Sequence, residues 1–341
     1  MIVNADCIEH LKTIEDNHFD SVVTDPPYHL TSIAKRFTNS TEAKHGKDGS
    51  FQRLSKGFMG KEWDGGDIAF TTDLWKEVYR TIKPGAVLLA FAATRNYHRM
   101  AVAIEDSGFE IFDMINWIYG TGFPKRKNLL KPAHEPIVMA RKGVNRSLNI
   151  DDCRISLEEN ADPRLGGKGS WSTDKSKEGV FKLGFEGKRI TSNEKGRYPA
   201  NIIHDGSEEV ISSFPNSKGF SGNANAKVGE KSKGVITPLR RGKGTLYSDE
   251  GSAARYFYSA KASKKEKDGS NHPTVKPVSL MRYLVKLVTP KEGLVLDPFA
   301  GTGTTGEACI LENRKYYLIE KTKEYIPDIE KRINKYGKLG I

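Results

Sequence analysis

Cysteine is scarce in this chain, with three in 341 residues: Cys7, Cys153 and Cys309. Their spacing offers neither a disulfide framework nor a metal-ligand pattern, so a reduced, cytoplasmic protein is expected. None of the three follows a proline; the preceding residues are Asp6, Asp152 and Ala308. No apolar run has membrane-spanning length and no signal-peptide pattern is present, which argues against a membrane partner. His134-Glu135 lacks the second histidine of a His-Glu-x-x-His helix, so no metal is expected. Acidic residues are also short: 43 Asp+Glu against 54 Lys+Arg leave a formal charge of +11. That balance favours a polyanionic partner, of which nucleic acid is the simplest. The length suits one large domain carrying an insertion.

What is present centres on two motifs. Thr24-Asp25-Pro26-Pro27-Tyr28 follows the apolar strand Ser21-Val22-Val23, at the carboxyl end where α/β sheets place ligands. Both prolines fix φ and lack an N–H, so the turn is stiff and presents only acceptors. The exocyclic amine of a nucleic-acid base is a poor nucleophile, because its lone pair is delocalised into the ring. The Asp25 carboxylate and the Pro26 carbonyl together accept both amine hydrogens and draw the nitrogen towards tetrahedral geometry. Tyr28 offers a flat face for an extruded base. Asp25, Pro26, Pro27 and Tyr28 therefore read as a catalytic turn for methylating an amine. The plain alternative is a Pro-Pro turn closing a strand.

The second motif, Leu294-Val295-Leu296-Asp297-Pro298-Phe299-Ala300-Gly301-Thr302-Gly303-Thr304-Thr305-Gly306, is a strand, a Gly-rich turn and a helix start. Glycine lets backbone approach a ligand, and the new helix presents free N–H groups. Gly301, Gly303 and Gly306 match G-x-G-x-x-G, and Glu320 closes the next strand, Tyr316-Tyr317-Leu318-Ile319. That spacing suits ribose hydroxyls, so a nicotinamide dinucleotide competes for the site. Asp297-Pro298-Phe299 argues instead for S-adenosylmethionine. The carboxylate suits a methionine ammonium and would sit badly beside a pyrophosphate.

With both motifs in hand, the chain resembles the amino-methylating DNA methyltransferases, whose members with Asp-Pro-Pro-Tyr mostly modify adenine N6. Catalytic motif first, recognition region in the middle and cofactor motif last is the order of the circularly permuted beta group. His272-Pro273-Thr274-Val275-Lys276-Pro277 matches that family's helix start beside the methionine tail. The resemblance covers roughly residues 1–142 and 270–334, and residues 196–215 more loosely resemble enzymes of phages and prophages. It implies a Rossmann-like, S-adenosylmethionine-dependent fold of the α/β class, with a permuted, mostly parallel seven-stranded sheet and an inserted target-recognition region. It further implies double-stranded DNA as partner and a bacterial or phage-infected cytoplasm, and it allows a homodimer. Asp6 would lie near the cofactor's adenine and also cap the first helix. Lys276 would lie beside the methionine tail. Asp25, Asp297, Phe299, Gly301, Thr302, Gly303 and Glu320 complete the expected cofactor contacts. Trp117 and Phe123 lie where the family sets a second aromatic face against the flipped base; core packing is the other reading for each. Cytosine C5 methylation, which needs a cysteine after proline, does not fit.

Along the chain, a strand begins at Met1-Ile2-Val3, followed by a helix over 7–14 with Ile8, Leu11 and Ile14 on one face. Strand 20–24 delivers the catalytic turn, and the irregular loop 31–66 is expected to order over DNA. Helix 71–82 should end at Lys83-Pro84-Gly85, before the buried strand 86–91. Helix 96–106, strand 109–119, an antiparallel return over 134–140 and a last helix through Ile326, Ile329 and Ile333 complete the reading. Three segments result: a catalytic half (1–142), a target-recognition region (143–269) and a cofactor-binding half (270–341). The middle one is rich in Gly, Ser, Lys and Asn, and Lys168, Lys175, Lys177, Arg189, Arg240, Arg241 and Lys243 suit phosphate contacts. Its alternative is a solvated insertion. For the whole chain, the rivals to adenine N6 methylation are cytosine N4 methylation, protein glutamine methylation and a DNA-binding module with a decayed site.

Overall fold

Residues 86–91 are apolar without a break, and all six are buried, as a strand covered on both faces requires. The structure is a computed structural model describing residues 1–28, 67–120, 122, 130–143, 148–155, 196–217, 251–260 and 275–337. Loop 31–66, Phe123, the seven basic residues named in the middle region, and His272 to Thr274 lie outside these residues.

In chain order the elements are β1 (Ile2–Asn4), α1 (Cys7–Leu11), β2 (Phe19–Thr24), α2 (Thr72–Thr81), β3 (Ile82–Phe91), α3 (Tyr97–Glu105), β4 (Glu110–Ile118) and β5 (His134–Arg141). The middle region supplies β6 (Ile202–His204), α4 (Glu208–Ile211), β7 (Asn216–Ser217), β8 (Gly251–Ser252) and β9 (Tyr258–Ser259). The last part holds α5 (Val278–Val288), β10 (Leu294–Asp297), α6 (Thr304–Leu311), β11 (Lys315–Glu320) and α7 (Ile326–Gly337). Among the described residues nine strands form one sheet in the order β1-β11-β10-β2-β3-β5-β4-β6-β9, and β7 pairs with β8. Within the large sheet only the pairs made by β5 are antiparallel. No helix among the described residues is long and apolar enough to cross a membrane.

Side-chain alternation divides the core into two layers. Val22, Leu88, Ala90 and Leu296 face α1, α2 and α3, meeting Leu11, Leu74, Trp75, Val78, Met100 and Ile104. Val23, Val87, Leu89, Phe91 and Val295 face α5 and α6, meeting Leu280, Leu284, Leu287 and Ala308. Strands buried on both sides, with helices on each, make this the mostly parallel α/β architecture expected from the sequence.

Three expectations are corrected. The sheet has nine strands, because β6 and β9 from the middle region extend the seven-stranded part alongside β4. The middle region is therefore continuous with the large sheet at that edge. Helix α1 stops at Leu11, and the chain turns back through Asn17 at φ 58 instead of continuing to residue 14. Strand β3 starts at Ile82, four residues early. Phe19 pairs with Ile82 but Ser21 pairs with Val87, so Lys83-Pro84-Gly85 forms an irregularity inside the strand, with Gly85 at φ 78. A proline is tolerated there because a bulge releases it from donating to the ladder.

Candidate active site

Thr24 ends β2 and Asp297 ends β10. These strands lie side by side in parallel, Val295 opposite Ser21 and Leu296 opposite Val22, so their carboxyl ends emerge together. The Thr24 hydroxyl donates to Asp297 Oδ1 at 2.7 Å, joining motifs 273 residues apart. Pro26 and Pro27 are buried, leaving Asp25 and Tyr28 partly exposed on either side.

The Asp25 carboxylate is occupied at both oxygens. Tyr28 donates its hydroxyl to Oδ1 at 2.5 Å, and Lys276 donates its ammonium to Oδ2 at 2.5 Å. Lys276 Nζ also reaches Tyr28 Oη at 3.1 Å and Glu135 Oε2 at 3.2 Å. The phenol lies 3.3 Å from Glu135 as well, but its single hydrogen goes to the nearer Asp25. Asn96 Nδ2 donates to the Tyr28 carbonyl at 2.6 Å and holds the far end of the turn. Lys276 is only 8% exposed, and its ammonium lies 4.8 Å from the centroid of the Phe91 ring. Burial alone would lower the lysine pKa, yet Asp25 and Glu135 outweigh it and hold the value above the usual one. Burial, with the same two carboxylates, pushes the Tyr28 phenol well up. Both groups therefore stay protonated at neutral pH.

The Gly-rich turn is built as much by packing as for a ligand. Gly303 starts α6 at φ 78, and a Cβ there would meet Ile329 Cγ2 of α7 at 2.8 Å. A Cβ on Gly306 would meet Leu318 Cδ1 at 2.7 Å. Gly301 takes φ 55 and donates its N–H to Glu320 Oε2 at 2.8 Å, while Thr322 N donates to Oε1 at 2.7 Å. Thr302 is buried, and its carbonyl accepts Arg332 Nε at 3.0 Å. Phe299 packs its ring on the core beneath the turn and donates its N–H to Asp297 Oδ1 at 3.1 Å. Strand β1 lies beside β11, Asn4 opposite Glu320, which brings Asp6 to the same edge. Asp6 caps α1 by accepting Ile8 N at 3.1 Å and Glu9 N at 3.3 Å, and it pairs with Lys321 at 3.0 Å. Of the expected cofactor contacts, Asp6, Asp297, Phe299, Gly301, Thr302, Gly303 and Glu320 follow the carboxyl ends of β1, β10 and β11. Lys276 lies against the Asp-Pro-Pro-Tyr turn, on the remaining one, Asp25.

Asp297 carries a testable consequence. It is 2% exposed, and burial pushes its carboxyl up to about 6, against the opposing pull of Thr305, Thr24 and the Phe299 N–H. The folded value exceeds the ordinary value of 3.8, so the native state takes up this proton first as pH falls. Stability is gained from this group as pH drops through 6 towards 4, by on the order of 3 kcal/mol, and lost as pH rises through 6. Urea unfolding of wild type and Asp297→Asn at pH 5 and pH 7 tests it. The variant should gain relative to wild type at the higher pH; an equal difference at both would refute the assignment.

Trp117 and Tyr119 point to the face occupied by the Asp25 cluster. Trp117 stands opposite Glu135 in the β4–β5 pair, which puts both on one side of the sheet. Its ring centroid is 5.2 Å from that of Tyr119, and its indole Nε1 is buried with no hydrogen-bond partner among the described residues. Burial, then the neighbouring Glu135 charge, raises the Tyr119 phenol to about 12. Glu135, Asn96 and Tyr119 were not anticipated as site residues. Glu135 drew attention only through a metal pattern, and its position beside Lys276 follows from strand pairing.

Known proteins resemble this chain in sequence and in fold. A family model described as DNA methylase, covering N6 and N4 methyltransferases, matches residues 19–331. The Type II methyltransferase M.HindIII of Haemophilus influenzae is 25% identical over 337 residues, covering 94% of this chain and 90% of that protein. The DNA adenine methyltransferase YhdJ of Escherichia coli K12 is 45% identical over a shorter stretch of 56 residues, 16% of this chain and 19% of that protein. Among solved structures, the PvuII DNA methyltransferase, described as cytosine-N4-specific, shares the fold with a TM-score of 0.50. Its identity is 16%, over 97% of this chain and 85% of that one.

Proposed function

The chain belongs to the DNA methylase family, and on that premise we propose that it methylates the N6 amine of an adenine turned out of duplex DNA, using S-adenosylmethionine. The observation that carries this reading is the junction of the two motifs at the carboxyl ends of adjacent strands, through the Thr24–Asp297 hydrogen bond of 2.7 Å.

The donor set suits that cofactor. A carboxylate oxygen accepts about two hydrogen bonds. Glu320 accepts the Gly301 and Thr322 N–H groups and the Thr322 side chain, which leaves it about one acceptor site for a ribose hydroxyl. Asp297 Oδ1 accepts from Thr24 and the Phe299 N–H, while Oδ2 accepts from Thr305 and keeps an acceptor site that suits an ammonium. Asp6 is assigned to the adenine end, with Phe299, Gly301, Thr302 and Gly303 forming the turn between. When bound, S-adenosylmethionine supplies an electrophilic methyl on sulfur. The protein's part is orientation: Asp25 and the Pro26 carbonyl accept the amine hydrogens, Pro27 stiffens the turn, and Tyr28 and Trp117 flank the base. The amine becomes acidic only as its new bond forms, so Asp25 need not take a proton beforehand. Positioning and local electrostatics then supply most of the rate.

Residues 143–269 are assigned to target recognition. Support comes from β6 and β9 on the sheet edge beside β4, and from Arg197 and Arg255 lying 4.6 and 4.5 Å from the Tyr256 ring. The neighbouring of β10 and β2, strands from opposite ends of the chain, supports the permuted motif order. Asp25 favours adenine over cytosine as the target, and the cytoplasm of a bacterial or phage-infected cell is the assigned location.

Nucleoside mass spectrometry on unmethylated genomic DNA, incubated with protein and S-adenosylmethionine, tests the proposal. N6-methyladenine is the expected product. N4-methylcytosine would keep the chemistry and overturn the base assignment, and no methylated base would overturn the substrate.

A further inference from the structure

The amine that Asp25 holds in this structure belongs to the protein. Lys276 Nζ lies on Asp25 Oδ2 at 2.5 Å and at 3.1 Å from Tyr28 Oη, beside the two residues assigned above to the target base. Building on the proposed function, we infer that Lys276 occupies the target-amine position while the site awaits DNA, and that Glu135 is the positioning residue that draws it aside when the base arrives.

Charge and crowding at Asp25 both set this resting pair against the reaction. A protonated lysine at Asp25 opposes catalysis twice: its ammonium stands on Oδ2 where the amine must come, and its charge repels the positive charge that grows on the amine nitrogen during methyl transfer. Losing its proton is no way out, because Asp25 and Glu135 together stabilise the charged form of this buried lysine. Leaving the cluster unpaired is no way out either, since an uncompensated buried cation costs several kcal/mol. Glu135 resolves both problems. Its Oε2 is already 3.2 Å from Nζ, so a small side-chain rotation exchanges one carboxylate for the other with little loss of pairing. The charged and titratable groups facing Nζ are Asp25 and Tyr28 from the catalytic turn and Glu135 from β5, with Tyr119 of the β4 end adding a weaker influence. Phe91 closes the remaining side with its ring.

The test is a double-variant cycle read by single-turnover methylation of unmethylated genomic DNA, with S-adenosylmethionine affinity measured separately by calorimetry. Glu135→Gln is expected to slow transfer by about 10- to 100-fold, the scale of a misplaced reacting group, while cofactor affinity stays within about threefold. In the Lys276→Met background the same Glu135→Gln change should cost less than about threefold, because no lysine is left to draw aside. Glu135→Asp should recover part of the rate. Equal penalties in both backgrounds would overturn the inference, as would a fall in cofactor affinity matching the fall in rate. Lys276→Gln serves as the background if Lys276→Met does not melt cooperatively. Wild-type protein that methylates no DNA would instead sink the proposed function, an outcome distinct from an active wild type with equal penalties.

Discussion

Asp25→Ala is expected to lower the single-turnover methylation rate by about 10³-fold or more, while S-adenosylmethionine affinity changes only a few-fold. The magnitude follows from the role. One preorganised group aimed at developing charge contributes about 10²–10³ in rate, and here the same group also orients the nucleophile. The fold should tolerate the change. Asp25 keeps 24% of its side chain exposed, and Lys276 retains Glu135 at 3.2 Å as a partner, so no buried charge is stranded. The motifs are joined through Thr24 and Asp297, not through Asp25. Asp25→Asn is the sharper control, since it keeps the shape and one acceptor oxygen but exchanges the other for a donor. A rate above a tenth of wild type in Asp25→Ala, with the melting temperature unchanged, would remove Asp25 from the mechanism.

Gly303→Ala is expected to destabilise the protein with no ligand present, by about 2–4 kcal/mol from a left-handed backbone and overpacking combined. Position 303 sits at φ 78, and an added Cβ would lie 2.8 Å from Ile329 Cγ2 and 3.2 Å from Ile329 Cα. The backbone contact cannot be relieved by rotating a side chain, so α7 must shift. That helix also carries Arg332, whose Nε donates to the Thr302 carbonyl and whose guanidinium meets the buried Glu307 at 2.5 Å. Displacing α7 therefore strains a buried ion pair whose separation is costly. Urea unfolding of the cofactor-free protein is the check. Unchanged stability with weakened S-adenosylmethionine binding would mean that this glycine serves only the approach of the cofactor.

Both motifs were legible because each is contiguous. Asp25 to Tyr28 and Asp297 to Gly303 carry their turn chemistry in neighbouring residues, and apolar runs such as 86–91 announce buried strands. Lys276 was singled out by its motif, but its partner Asp25 is 251 residues away. Glu135 lies 107 residues from Tyr28 and read as half of a metal pattern. Trp117 was legible as an aromatic, while its orientation towards Glu135 depended on the register of β4 against β5. The two additional strands were too short, at three and two residues, to show a period.

The sequence alone determined the α/β class, the stiff Asp-Pro-Pro-Tyr turn, the Gly-rich turn and the chemistry proposed for them, because local backbone preference and side-chain period act over a few residues. Only the tertiary structure decided that β10 lies beside β2, that Glu135 and Lys276 meet at Asp25, and that Gly303 is fixed by Ile329. Those outcomes come from strand order and close packing, where a contact depends on which distant segments share a face.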